Sequence, residues 1–319
     1  MDQILERILP RVQKPARYTG GEYNAVIKDR AEVDLRYALC FPDTYEIGMS
    51  NLGCRILYGV MNEEPGVWCE RSFAPWGDME DEMRKAGLPL YALESGDPLD
   101  RFDIIGFSLG YEMAYSNVLN MLDLAGLPLR SADRPELAPL VVAGGTCCYD
   151  PEPLAPFMDL FVLGEGEEVT LEYIRLFRQA RDEGWDKPRF LREASHIPGI
   201  YVPSLYDVTY HEDGTVAAVT PRFDDVPAVV TKRIIQDMDK AYFPVKTIIP
   251  STEIVHDRVM LELFRGCIRG CRFCQAGYAY RPVRSRSPEL LAQYGKQSLE
   301  DSGYREMTLS SLSSTDYPC

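Results

Sequence analysis

The chain reads as an α/β protein: a flavodoxin- or Rossmann-like parallel sheet, an extended connector, and then the opening strand-loop-helix-strand of a second unit. Three observations predict this. Between residues 35 and 180, short apolar runs alternate with amphipathic stretches, the pattern of crossover units feeding a parallel sheet. Residues 190–250 lose that alternation and become rich in proline and short extended runs. Then the apolar run Val259-Met260-Leu261-Glu262-Leu263-Phe264 leads straight into a loop with three cysteines.

Taken in order, residues 1–32 are polar and mixed in charge, with the turn-like Thr19-Gly20-Gly21, and read as a lead-in helix and arm. Strands are expected at 35–41, 67–71, 88–93, 103–108, 140–143 and 160–163, and helices at 51–62, 79–85, 112–124 and 167–180. These make a sheet of about five strands. Ligands on such sheets sit at the carboxyl ends of the strands, so the loops at 42–50, 109–112, 144–148 and 164–166 are the candidate binding loops. In the connector, Tyr206-Asp207-Val208-Thr209-Tyr210 and Val216-Ala217-Ala218-Val219 flank the turn His211-Glu212-Asp213-Gly214 and read as a hairpin. Beyond the cysteines, Ser287 is the expected N-cap of a helix over 288–301, and 306–312 reads as a further strand. The resulting division is an arm at 1–32, a sheet domain at 33–185, a connector at 186–250 and a second unit at 251–319.

Composition narrows the function classes. At 319 residues, with 45% hydrophobic and 26% charged residues, the chain has room for about two globular domains. No apolar run approaches the roughly 20 residues of a membrane helix. Nine cysteines, among them Cys40, Cys147 and Cys148 in or beside apolar runs, suit a reducing compartment, so a cytoplasmic protein without structural disulfides is expected. A net charge of -15 argues against nucleic acid as a partner for the surface as a whole, although it does not exclude RNA. Charge is uneven, however: Arg265, Arg269, Arg272, Arg281, Arg284 and Arg286 crowd the cysteine loop, either to meet an anion or as solvated and salt-bridged side chains. His196, His211 and His256 stand alone, without a recognisable ligand or triad spacing.

Cys267, Cys271 and Cys274 form a C-x3-C-x2-C array. Structural zinc takes four closed ligands, and neither His256 nor Cys319 is placed in sequence to be the fourth. Three thiolates and an open position suit a 4Fe-4S cluster; a zinc knuckle or three structural cysteines are the alternatives. The spacing, Phe273 before the last cysteine and the preceding strand resemble the cluster loop of radical S-adenosylmethionine (SAM) enzymes. That resemblance makes Cys267, Cys271 and Cys274 the cluster ligands and lets Phe273 cover the cluster. It also implies that Ser310 and Ser311, in the stretch Thr308-Leu309-Ser310-Ser311-Leu312-Ser313-Ser314, contact SAM.

A second resemblance lies in the sheet domain. Asp43-Thr44-Tyr45-Glu46-Ile47-Gly48 is similar to the cobalamin-binding signature D-x-H-x-x-G, with Tyr45 where the family has its axial histidine. Gly106-Phe107-Ser108-Leu109 and Ala143-Gly144-Gly145-Thr146 follow in the order of the serine and paired-glycine stretches that enclose the cobalamin tail, and Gly164-Glu165-Gly166-Glu167 resembles the motif closing such domains. The resemblance therefore implies cobalamin contacts at Asp43, Tyr45, Gly48, Ser108, Gly144 and Gly145, with Tyr45 capping the lower face or leaving it open.

Taken together, the chain resembles the cobalamin-binding radical SAM proteins over residues 17–319. The resemblance implies a cluster that binds SAM, a 5'-deoxyadenosyl radical taking hydrogen from an unactivated carbon of an unknown substrate, cobalamin as methyl carrier, and a reductant such as flavodoxin or ferredoxin as partner. It also implies a partial (β/α) barrel, because only two strands follow the connector. The Arg284-Ser285-Arg286-Ser287-Pro288 stretch is comparable to one in the tRNA methylthiotransferases, which would require a second cluster among Cys40, Cys54, Cys69, Cys147 and Cys148. A non-catalytic corrinoid or iron-sulfur carrier is the reading from a different class.

Overall fold

The computed structural model describes residues 2–318. Helix α1 (Asp2–Ile8) opens the arm, and the sheet unit follows as β1 (Leu35–Phe41), α2 (Tyr45–Met49), α3 (Leu52–Glu63), β2 (Val67–Phe73), α4 (Gly77–Ala86), β3 (Ile104–Ser108), α5 (Tyr115–Leu124), β4 (Leu140–Gly144), β5 (Leu160–Val162), α6 (Gly166–Asp182), α7 (Lys187–Ala194) and β6 (Ile200–Tyr201). The sheet order is β2-β1-β3-β4-β5-β6, with β6 antiparallel to β5 and every other pair parallel. The chain thus runs outward from β1 to β2 and then crosses back to β3, which puts the topological switch between β1 and β3. Helices α3 and α6 pack together, while α4 and α5 are tied by Arg84 to Asp123 at 2.8 Å, as right-handed crossovers on two faces require. Six of the seven β1 residues are buried, the signature of a strand covered on both faces.

Local chemistry sets the element ends. Asn51 caps α3 by accepting the Cys54 amide at 2.9 Å, and Asp186 caps α7 by accepting the Arg189 amide at 2.9 Å, with Pro188 in the first turn. Two expectations need correction. Residues 88–93 are buried but form no strand: Pro89 has no N–H to donate, and the Leu90 and Leu93 amides donate to the carbonyls of Leu124 and Arg71 instead of to a ladder. In addition, helix α7 lies where extended connector was expected, and the extended run at 200–203 supplies β6, which joins the main sheet instead of the connector.

The hairpin is present as β7 (Tyr206–Tyr210) and β8 (Val216–Pro221), with most of its side chains exposed. The second unit comprises β9 (Val259–Glu262), β10 (Phe264–Arg265), α8 (Ala276–Ala279), β11 (Arg284–Ser285), α9 (Pro288–Ser302) and β12 (Met307–Ser310). Strands β9 and β12 are parallel and joined through α9, while β10 and β11 pair antiparallel across the cysteine loop. Ser287 stands at the N-cap of α9, but its side chain makes no capping bond; its carbonyl accepts the Leu291 amide and its own amide donates to Asp239. Among the described residues, no helix is long and apolar enough to cross a membrane.

Candidate cofactor cleft

The carboxyl ends of β1, β3, β4 and β5 converge on a cleft of about 570 Å³. One wall is the sheet edge: Ser108 and Leu109 after β3, Gly144 and Gly145 at the end of β4, Glu165 and Gly166 after β5, and the first turn of α3. The opposite wall belongs to the second unit, with Glu262 at the end of β9, Phe264, Arg265 and Gly266 at the mouth of the cysteine loop, and Ser310, Ser311 and Leu312 at the end of β12. The cleft also holds a buried polar group. The hydroxyls of Tyr37 and Tyr173 lie 2.8 Å apart, both buried, with Thr170 beside them.

Backbone geometry keeps the sheet edge open. Gly145 has φ 108°, and a Cβ there would stand 2.3 Å from the Leu109 carbonyl oxygen, so only glycine lets the β4 loop pass this close to the end of β3. The Leu109 amide donates to the Gly144 carbonyl at 2.7 Å, pinning the two loops together.

Of the residues singled out in the sequence, Ser108, Gly144, Gly145, Ser310 and Ser311 all line this cleft. The signature Asp43-x-Tyr45-x-x-Gly48 does not. Tyr45 is 1% exposed; its hydroxyl donates to Glu22 at 2.9 Å and accepts the Ser251 amide at 3.3 Å, and its ring meets Phe73 edge-on. The expectation that Tyr45 caps a ligand face is therefore corrected: helix α2 turns it into the core between arm and sheet. Burial, and next the Glu22 carboxylate, push its phenol well above the ordinary value. Gly48 serves packing, since a Cβ would fall 2.2 Å from the Phe73 ring. Asp43 accepts the Thr44 amide at 2.7 Å and the Tyr111 hydroxyl, bracing the loop.

In the cysteine loop, Cys271 is exposed, Cys267 and Cys274 are half-buried, and all three thiols are free. The Cys274 amide donates to the Cys271 carbonyl, closing a turn. Among the described residues no three His, Cys, Asp or Glu side chains are gathered as a ready ion site, the three thiols included. Phe273 is 94% exposed. The donor set nevertheless fits an iron-sulfur cluster: three soft thiols, unengaged in disulfides, fall within eight residues of a loop whose mouth, at Gly266, opens on the cleft. Gly266 has φ 95°, and a Cβ would meet the Pro282 carbonyl oxygen at 2.6 Å.

The arginines around this loop are mostly ion-paired. Arg265 reaches Glu167 at 2.6 Å and Glu262 at 2.8 Å, Arg284 reaches Glu165 at 2.7 Å, and Arg269 reaches Asp316 at 2.8 Å. Arg286 is fully buried and donates to the carbonyls of Met238, Ala241 and Tyr242 and to Glu262. Burial alone would raise the Glu262 carboxyl, but Arg265 and Arg286 hold it below the ordinary range. Arg281 lines the cleft with its guanidinium over the Tyr278 ring, and Arg272 is exposed. Sequence reasoning missed Tyr37, Tyr173 and Arg233 in this cleft, and Lys232, which donates to the cysteine loop's Ala279 and Arg281 carbonyls. Tyr37 sits inside an apolar run and Tyr173 on the buried face of helix α6, and neither carries a motif.

The cysteines of the sheet unit form no comparable loop. Cys40, Cys54, Cys69 and Cys148 are buried in the core with thiols pushed upward, and burial, then Glu112, push Cys147 up to about 11. Such thiols are poor thiolate donors.

Residues 53–203 match the family model described as radical SAM proteins, N-terminal. Over these residues the chain is similar to the N-terminal part of radical SAM proteins. The matched span covers most of the sheet unit, from the start of α3 to just past β6. Over 284 residues the chain is 25% identical to uncharacterized protein MJ0966 of Methanocaldococcus jannaschii, covering 88% of this chain and 50% of that one. Two solved structures of the radical SAM methyltransferase TsrM from Kitasatospora setae are similar at TM-scores of 0.48 and 0.47, with 15% and 14% identity. One has cobalamin and a [4Fe-4S] cluster bound, the other tryptophan and a SAM analogue; each match covers 87% of this chain and 47% of that one. The chain thus spans about half the length of the curated relative and of the structures it matches.

Proposed function

We propose that this chain forms the corrinoid- and cluster-binding part of a radical SAM enzyme that transfers a methyl group, or carries out related radical chemistry, at an unactivated carbon. The observation that carries this reading is the shared cleft, in which the switch-point edge of a parallel sheet faces the mouth of a three-cysteine loop across one cavity. When bound, the cluster would supply one-electron reduction of SAM, and cobalamin would supply a methyl carrier.

The chain's own residues provide holding and positioning. Cys267, Cys271 and Cys274 would hold the cluster, leaving one iron without a protein ligand. Ser310 and Ser311 line the cleft at the end of β12, where their hydroxyls and backbone suit the polar amino-acid end of SAM, and Arg281 supplies a cation for its carboxylate. Gly144, Gly145 and Ser108 present backbone and a small side chain to a flat ligand entering from the sheet edge, above the buried hydroxyls of Tyr37 and Tyr173. Tyr45 is engaged elsewhere and the Asp43–Gly48 loop does not line the cleft, so that loop would not hold the corrinoid in this reading. A small electron donor such as flavodoxin or ferredoxin, in a reducing cytoplasm, is the partner that fits.

Anaerobic reconstitution with iron and sulfide, and separate dialysis against aquacobalamin, test the two halves independently. The expected results are about four irons per chain, lost when the three cysteines are replaced by Ala, and about one corrinoid per chain, its affinity at least tenfold weaker in Gly145→Leu. Stoichiometric zinc without iron would overturn the cluster. Failure to retain corrinoid would remove the cobalamin part and leave the cluster standing.

A further inference from the structure

The cysteine loop is clasped at its neck. Strands β10 and β11 pair for only two residues, Phe264 with Ser285 and Arg265 with Arg284, and the Arg286 amide donates to the Leu263 carbonyl just beyond. Everything between, residues 266–283, hangs from that clasp, including the three cysteines. A two-residue antiparallel pair is too short to hold itself in water.

What holds it is a carboxylate from the sheet unit. Glu165, on the loop after β5, accepts both terminal nitrogens of Arg284 at 2.7 and 2.8 Å, and its Oε2 also lies 3.6 Å from Arg265. Both arginines are the paired residues of the clasp itself. The same Oε2 accepts the Ile235 amide of the connector at 2.5 Å, and Arg284 donates to the Ile235 carbonyl at 2.6 Å. Glu165, Arg265 and Arg284 are largely buried, where a bidentate charge-assisted pair holds geometry more firmly than at a surface. The far half of the loop is anchored separately: Lys232 donates to the carbonyls of Ala279 and Arg281 at 2.8 and 2.6 Å, and Tyr149 donates to Ala279 at 3.2 Å. The segment carrying Cys267 to Cys274 is left exposed or half-buried between these two anchors.

We propose that Glu165 is a positioning residue: by clasping Arg284, Arg265 and the Ile235 amide at one carboxylate, it sets the cysteine loop at the mouth of the cleft, so that a cluster held there faces a ligand on the sheet edge. The proposal rests on the reading of Cys267, Cys271 and Cys274 as cluster ligands, and it gives the Gly164-Glu165-Gly166-Glu167 segment a mechanical role in that site.

The test compares the whole chain with Glu165→Gln, Glu165→Asp, Arg284→Lys and, as a surface control, Glu168→Gln, whose carboxylate pairs with Arg233 on the outside of α6. In the metal-free chain, amide hydrogen exchange at residues 264–267 and 283–286 should speed up roughly tenfold or more in Glu165→Gln and Arg284→Lys, while the β1 and β4 amides keep their protection. Glu165→Asp should restore part of that protection, and Glu168→Gln should behave as the parent chain. In the reconstituted chain, Glu165→Gln should retain iron yet lose the change that SAM produces in the paramagnetic resonance of the reduced cluster. Unchanged neck exchange in both Glu165→Gln and Arg284→Lys would overturn the proposal, and so would a parent-like SAM response in both. If Glu165→Gln fails to fold, Arg284→Lys, which keeps the charge but loses the fork, decides alone. If the parent chain binds no iron, the cluster reading fails, while the exchange measurement still decides whether Glu165 sets the loop.

Discussion

The two walls of the cleft differ in the balance of forces that holds them, although the sheet unit also buries ion pairs such as Arg71 with Glu94 and Lys187 with Asp159. The sheet unit rests on one large apolar cluster that runs through β1 to β6 and takes in α3, α5, α6 and α7. The second unit has a small core, with Phe243, Leu261, Leu263, Phe264 and Leu291 its buried members, and around it a charged lattice of Glu262, Arg265, Arg284, Arg286 and Glu165. Apolar burial is non-directional and tolerates a crowded scaffold, whereas charge-assisted hydrogen bonds are directional and fix where a loop mouth sits. The scaffold wall is thus built for stability, and the loop wall for placement.

The sharpest break of this comparison is a large-to-small change in the apolar wall. Phe161 is fully buried at the centre of β5 and stacks on Tyr201 of β6. Phe161→Ala should cost about 3–5 kcal/mol of global stability, read as a lower midpoint in denaturant with the slope unchanged. A loss below about 1 kcal/mol would mean that this wall is not the stability-bearing one.

The same probe in the other wall should act locally. Arg286→Met removes donors from three carbonyls and leaves Glu262 with Arg265 alone, a loss of about 3 kcal/mol by the usual cost of breaking a buried pair. Hydrogen exchange should rise across β9 to β12 while β1, β3 and β4 stay protected. Equal loosening of the sheet would show that the two walls unfold as one.

Much of the scaffold wall was legible in the sequence, because strands buried on both faces leave continuous apolar runs and helices leave their own period. What was not legible is instructive. Residues 88–93 have the composition of a strand, but Pro89 removes a donor and the segment bonds to its neighbours singly. Helix α7 carried a start signal, Asp186-Lys187-Pro188, inside a proline-rich stretch that read as connector. At the site, Ser108, Gly144, Gly145, Ser310 and Ser311 were found because strand ends converge in such sheets. Tyr45 was misplaced because a spacing match says nothing about which way a short helix turns its residues. The Glu165–Arg284 pair spans 119 residues, and no local pattern announces such a partner.

Acid should sharpen the contrast between the walls. The Glu262 carboxyl sits below its ordinary value near 4.5 in the folded chain, because Arg265 and Arg286 outweigh the opposing effect of burial. Its stabilising contribution is therefore fully present above that ordinary value and is lost as pH falls through the lower folded value. Exchange at β9 to β12, corrected for intrinsic rates, should rise below about pH 4.5 before that of β1 and β4, and Glu262→Gln should flatten the pH dependence. Glu22, held low by Arg71 against burial, gives the arm the same sign, so the arm should loosen in the same window.

The smallest effect on stability is expected where the effect on function is largest. Cys271 is exposed, Cys267 and Cys274 are half-buried, Phe273 packs on nothing, and the loop's anchors lie at its neck, at Ala279 and Arg281, and at the exposed Arg269–Asp316 pair, none of them a thiol. Replacing all three cysteines with Ser in the metal-free chain should therefore change stability by less than about 0.5 kcal/mol, or less than about 2 °C in Tm, while abolishing iron uptake. A larger shift would mean that the thiols pack in the metal-free chain and that the loop wall is preformed without its metal. A negligible shift together with a clear rise in Tm on cluster loading of the parent chain would show the opposite: the cysteine segment acquires its final geometry from the metal, and the protein supplies only the clasp that aims it.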